Sequence, residues 1–239
     1  MISSGNLIEK GIDIVALQEP AINVFNKTVA SQDWKVIYPS THTKDPGKTR
    51  TLLLIRDDLL TDGWEQLEFL SGDVTAIKLQ GEWGKLTLFN IYNDCKHDET
   101  ILALTEYHST HANNIMGNEE TKGTHHLLWL GNFNRHHPFR DAPENNTLFT
   151  REATDHTEVL IQSLAEIGLE MVLEAGVPTH EHFVTKRWSR LDHVFSTEHT
   201  IKAIVRCETL LDKQGVSTDH FLIITELNLE LLLAGRAES

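Results

Sequence analysis

The sequence predicts a mixed-sheet α/β layer protein. Strand-length apolar runs come first, alternate with two segments of helical spacing and then return. Gly81, Trp83 and Gly84 punctuate two neighbouring runs as a hairpin turn does, so part of the sheet is antiparallel. No internal repeat, low-complexity tract or linker divides the chain, and 239 residues suffice for one full core but not two.

In chain order, strands are expected at Ile12–Leu17, Val36–Tyr38, Thr51–Ile55, Val74–Leu79 and Leu86–Tyr92. Thr100–Met116 reads as a helix, with Ile101, Leu104, Tyr107 or His108, and Ile115 near helical spacing and Asp98 as its N-cap. His126–Leu130 is a buried strand running into the polar turn Gly131-Asn132-Phe133-Asn134. A second helix lies within Thr154–Ile167 and stops at Gly168. Leu191–Phe195, Ile201–Cys207 and Phe221–Leu227 are the returning strands, and Glu230–Ser239 reads as a frayed tail, leaving residues 1–229 as the domain and 230–239 outside it.

Apolar residues at 40% and charged residues at 23% exclude a disordered, collagen-like or coiled-coil chain. No run approaches the roughly 18 apolar residues of a membrane span, and Met1–Lys10 lacks the basic start and apolar stretch of a signal peptide, so a soluble, intracellular protein is expected, with no membrane partner. Cys95 and Cys207 form no C-x-x-C pair and are expected as free thiols. The formal charge of −14 repels polyanions at long range. Screening beyond about 10 Å still lets a local basic patch or a bound cation reverse the sign inside a cleft.

Phosphate-binding G-x-x-x-x-G-K-[ST] and dinucleotide-binding G-x-G-x-x-G patterns are missing, and so is a G-x-S-x-G elbow, which weakens nucleotide-cofactor and serine-hydrolase readings. Instead four polar clusters sit at the ends of apolar runs: Gln18-Glu19, Tyr92-Asn93, Asn132 with Asn134, and Asp219-His220. In open α/β sheets the crevice at strand ends is the usual ligand site, so a shared site is one reading. Separate turns with local caps are the other, since Asn and Asp are common turn residues.

Four segments then carry a family resemblance: V-A-L-Q-E-P at Val15–Pro20, W-L-G-N-F-N-R-H-H at Trp129–His137, W-S-R-L-D-H-V-F at Trp188–Phe195 and V-S-T-D-H-F at Val216–Phe221. In this order and spacing the chain resembles the endonuclease/exonuclease/phosphatase superfamily. The R-H-H-P after G-x-F-N and the P-T-H before W-S-R-L-D look most like the AP-endonuclease-like domain of non-LTR retrotransposons. The resemblance implies a four-layer α/β sandwich, two packed mixed β-sheets flanked by helices, and Mg²⁺-dependent phosphodiester hydrolysis, with Mn²⁺ as a substitute ion. It implies DNA as partner, nuclear residence, and a reverse-transcriptase domain in a longer parent chain; oligomeric state is left open.

By the same resemblance Glu19 holds the metal, Asp219 adds a second carboxylate, Asn134 orients the scissile phosphate and Tyr92 reaches another phosphate oxygen. His220 stabilises developing charge and Asp192 orients it. Lys44, Lys48 and Arg50 form one basic loop and Lys186, Arg187 and Arg190 another; Arg190 and Lys48 are the candidate phosphate-backbone contacts, with solvated charge as the other reading. The inventory suits the chemistry, because an anionic diester yields only to a site with a cation, a proton acceptor for water and donors for the charge in flight.

Two departures stand out. Asn132 occupies the aspartate place of the family's G-D-x-N, and an amide cannot take a proton from water; His136 or His137 is the nearest substitute base. The family's first strand, with its metal-site asparagine, is expected to be missing, and Asn6 lies too close to Glu19 to stand in for that asparagine. Both suggest an attenuated or inactive copy, the alternative being a non-catalytic nucleic-acid- or protein-binding relic. A lipid-headgroup or small-molecule phosphoesterase is a third reading, disfavoured by the R-H-H-P context.

Overall fold

The computed structural model describes residues 11–59, 63–118, 120–138, 140–212 and 218–234. A six-stranded sheet of order β4-β5-β6-β7-β11-β8 forms its centre, built from Trp64–Leu67 (β4), Val74–Gly81 (β5), Gly84–Tyr92 (β6), His125–Asn132 (β7), Asp192–Thr197 (β11) and Leu169–Met171 (β8). β6 and β7 run parallel and every other pair antiparallel, so the sheet is mixed. The expected hairpin joins β5 to β6 with Gly81 opposite Gly84.

Alternation along β6 explains the layers. Phe89 and Ile91 face one side, where Trp129, Phe133 and Phe195 join Ile101 and Leu104 of the helix Glu99–Thr110 (α1) and Leu160 and Leu164 of Arg151–Ile167 (α3). Leu86 and Leu88 face the other, against Leu53 and Ile55 of a three-stranded sheet and Ile223 and Leu227 of a two-stranded one. The first of these has order β1-β3-β2, from Ile14–Gln18 (β1), Thr51–Arg56 (β3) and Trp34–Ile37 (β2); the second pairs Ile204–Leu210 (β12) with Leu222–Leu227 (β13). The expected sandwich of packed sheets and helices is thus present. On the outer face of the three-stranded sheet Trp34, Leu52 and Leu54 pack with Ile12, Val15 and Leu17, and among the described residues no helix joins that cluster. β1 and β13 are edge strands, which is where a further strand would pair.

Several local expectations are corrected. The first helix breaks at His111, after which Ala112–Ile115 forms a separate turn (α2). Asp98 stands at the N-cap position without capping, because Arg135 and His156 take its carboxylate at 2.7 and 2.6 Å. The second helix starts earlier than expected, with the Thr150 hydroxyl accepting from the Ala153 N–H at 3.2 Å, and it ends at Gly168 with φ 77° as expected. Residues Glu198–Ile201 are a helical turn (α4) and not the start of a strand, since buried Thr200 bonds Thr197. Leu229–Ala234 is helical (α5), with Leu232 buried, where a frayed tail was expected. β4, β8 and a two-residue pair, His180–Glu181 (β9) with Trp188–Ser189 (β10), are too short to show a period in sequence. Both cysteines are free. No helix among the described residues is long and apolar enough to cross a membrane.

Candidate active site

Register builds the centre of the site. Tyr92 of β6 lies beside Asn132 of β7, and Asn132 beside Asp192 of β11. Leu88 and Leu128 form the same kind of pair further back and point into the space between the sheets, so the even-numbered period puts Tyr92, Asn132 and Asp192 in one row on that face. β7 approaches β6 so closely here that a Cβ on Gly131, which has φ 140°, would run into the Ile91 carbonyl oxygen. Only glycine delivers Asn132 to this place.

The turn after β7 is held from several sides. Asn132 Oδ1 accepts the Asn134 N–H at 2.9 Å, and Asn134, with φ 50°, donates its amide to the Asn93 carbonyl at 2.8 Å. Buried Arg135 ties the same turn to residues 94–98 through the Asp94 and His97 carbonyls at 3.0 and 2.7 Å. A left-handed conformation at a residue other than glycine costs free energy, and such strain gathers at functional sites. Glu19, at the end of β1, shows it too, with φ 49°.

The Glu19 carboxylate stands beside the Tyr92 hydroxyl, and burial followed by the Glu19 charge pushes that phenol's pKa up. Arg50 lies over the Tyr92 ring at 4.7 Å and pairs with Asp94 at 3.3 Å. Across the row, Asp192 Oδ2 meets His220 Nδ1 at 2.7 Å, while the Thr179 hydroxyl accepts the Asp192 N–H at 3.0 Å. Burial opposes the charged form of His220, yet Asp192 first, then Asp219 and Glu19, carry its pKa above the ordinary value. His180 Nε2 lies 3.2 Å from Asp219 Oδ2, and an antiparallel bridge joins residues 180 and 220. Burial also works to raise the Asp219 carboxyl, but a backbone N–H and the two histidines outweigh it and hold its pKa low.

Tyr92, Asn132, Asn134, Asp192, Asp219, His220 and Glu19 therefore converge at one mouth between the sheets. The three carboxylates do not close on one ion as a set. Glu19 is turned to Tyr92 and Asp192 to His220; among the described residues the three-ligand group with all atoms within 4.8 Å is His180, Asp219 and His220. A cavity of about 550 Å³ adjoins the mouth, lined by Asn134, His136, Asn145, His180, Trp188 and Leu191 among others.

Two expected substrate contacts stand apart. Arg190 is 1% exposed, and its guanidinium donates to the Leu173 carbonyl at 2.8 Å and to that of Glu174, so it braces the chain before the site and does not face a ligand. Lys48 is exposed and paired with Asp45 at 3.2 Å. His136 faces Asp141 at 3.4 Å and His137 is buried, so neither is shown at the side chain of Asn132. Asn6 lies outside the described residues, as do Val216 and Ser217.

Sequence reasoning passed over four supports. Arg50 was legible only as a loop cation. Asn90, fully buried, bridges the sheets by donating to the Leu17 and Leu52 carbonyls at 3.0 and 2.8 Å, and it accepts from Gln18. Thr179 and His180 were visible as the P-T-H letters, without a partner to give them a role.

The layers are those of the endonuclease/exonuclease/phosphatase fold. The chain superimposes on the endonuclease domain of TRAS1, a telomere-specific non-LTR retrotransposon, with TM-score 0.67 and 15% identity over 93% of this chain and 89% of that one. It matches the AP endonuclease LMAP from Leishmania major at TM-score 0.73 and 12% identity, covering 94% and 81% of the two chains. A 3′ phosphatase, NExo, from Neisseria, bound to a product DNA hairpin, gives 0.66 and 17% over 94% and 92%. At sequence level no family model and no curated protein matches.

Proposed function

We propose that the protein is a phosphodiester hydrolase acting on DNA, nicking one strand in the manner its retrotransposon-like motifs suggest. The observation that carries this reading is the in-register row Tyr92, Asn132, Asp192 with His220 locked onto Asp192. A scissile phosphate at that row meets the Asn134 turn, the Tyr92 hydroxyl and the His220 Nε2–H. The raised His220 pKa keeps a proton there for an oxyanion.

The oxygen donors left for a hard cation are Glu19 and Asp219, since His220 engages Asp192. Mg²⁺ tolerates so few protein ligands because it keeps several waters, and Mn²⁺ accepts the same oxygen donors. When bound, the ion supplies neutralisation of phosphate charge. The protein's own residues do the rest: Asp192 fixes the His220 ring, Asn132 fixes the Asn134 turn, and Arg50 and Glu19 hold the Tyr92 hydroxyl.

Asn132 is the weak point, and it favours the second reading, a binding module that has kept the fold and lost the chemistry. Its Oδ1 accepts a backbone N–H, a role a carboxylate oxygen fills equally well. Asn132→Asp should therefore keep the geometry and restore a proton acceptor. With Mg²⁺, nicking of supercoiled plasmid by Asn132→Asp is expected to exceed that of the native chain by about 10²- to 10⁴-fold. No nicking by either, with salt-sensitive DNA binding retained, would establish the binding module instead. Residence in the nucleus and a companion reverse transcriptase belong to the same proposal.

A further inference from the structure

We infer that His180, Asp219 and His220 form a site for a transition-metal ion, Zn²⁺ being the best fit, which shares Asp219 with the hard-cation set proposed above and takes two imidazoles in place of Glu19. Each imidazole has its Nδ1 already engaged: that of His180 meets the Ser189 hydroxyl at 3.0 Å, and that of His220 meets Asp192 at 2.7 Å. Both Nε2 atoms are thereby turned to the one carboxylate, at 3.2 Å from Asp219 Oδ2 and 3.8 Å from Oδ1.

A tetrahedral zinc ion with bonds of about 2.0 to 2.1 Å sets its ligand atoms roughly 3.3 to 3.5 Å apart, so small movements suffice. The anchoring of each ligand histidine through its other nitrogen is the outer-shell arrangement that fixes ring orientation in metal sites. Two imidazoles and one carboxylate suit zinc and its neighbours, whereas magnesium prefers oxygen and water. Backbone pairing makes the group rigid, since Glu181 N–H donates to the Asp219 carbonyl at 2.7 Å and Phe221 N–H to that of Thr179 at 2.8 Å.

One consequence rests on the hydrolase reading. Zinc on His220 Nε2 occupies the nitrogen that would face phosphate, so zinc would block the hydrolysis that magnesium supports. Binding itself does not depend on that reading, and it is tested without activity. Calorimetry with ZnCl₂ alone on the full chain should show one site, with no comparable binding of MgCl₂. Affinity should fall by more than about tenfold in His180→Gln and in Asp219→Asn, with circular dichroism unchanged. Ser189→Ala, which leaves all three ligands in place, should weaken zinc less and alter the visible spectrum of bound Co²⁺. Zinc held elsewhere among the fourteen histidines would survive these substitutions. Undiminished affinity in folded His180→Gln, or an unaltered Co²⁺ spectrum in Ser189→Ala, would overturn the assignment.

Discussion

Trp129 directs its indole N–H at His108 Nε2, 3.3 Å away, while His108 Nδ1 faces the Leu104 carbonyl at 2.9 Å. Both contacts fit a neutral ring, with Nδ1 donating and Nε2 accepting, and burial lowers the pKa from 6.5 to about 4. Because the folded value is depressed, the unfolded chain takes up this proton first. Stability is complete above pH 6.5 and is lost as pH falls towards 4, by on the order of 3 kcal/mol from this one group. Urea midpoints should therefore drop between neutral pH and about pH 4.5. His108→Gln, which keeps polar partners but does not titrate, should flatten the dependence, and an equal slope in the variant would refute this account. Arg190 poses the opposite question. With its guanidinium spent on buried carbonyls, Arg190→Ala should cost about 3 kcal/mol in denaturation while native-like DNA affinity is retained. A selective loss of DNA binding would return it to the substrate contacts.

Elements deliver the site through their ends. β6 and β7 end and β11 begins at one level because Tyr92, Asn132 and Asp192 share a register, and Gly131 permits the approach that sets it. Gly131→Ala should cost more than about 2 kcal/mol, since both its conformation and the Ile91 backbone oppose a Cβ. Thermal unfolding measures it; a stability equal to the native chain would mean that β7 can shift away. Strand positions were largely legible from apolar runs, and so was the hairpin, because a two-fold period and turn residues are local signals. The missing cap at Asp98 was not, because its carboxylate is taken by Arg135 and His156 from across the fold.

At the scale of the whole molecule, open sheet edges meet a strongly acidic surface. β1 and β13 each pair on one side among the described residues, and open edges favour association. The formal charge of −14 opposes it by repulsion. Salt screens that repulsion, so raising ionic strength should shift sedimentation towards larger species at constant protein concentration. A monomer unaffected by salt and concentration would show the edges to be protected.

Residue types, their order and the spacing of four strand-end motifs were settled by the chain alone, because periodicity and turn chemistry act between near neighbours. Which carboxylate serves which partner was decided only by packing. Asp192 is turned to His220, Glu19 to Tyr92, and Asp219 sits between two imidazoles, across separations of 28, 73 and up to 39 residues. Such choices follow from which side chains the sheets bring within hydrogen-bond reach, a long-range property that no local pattern encodes.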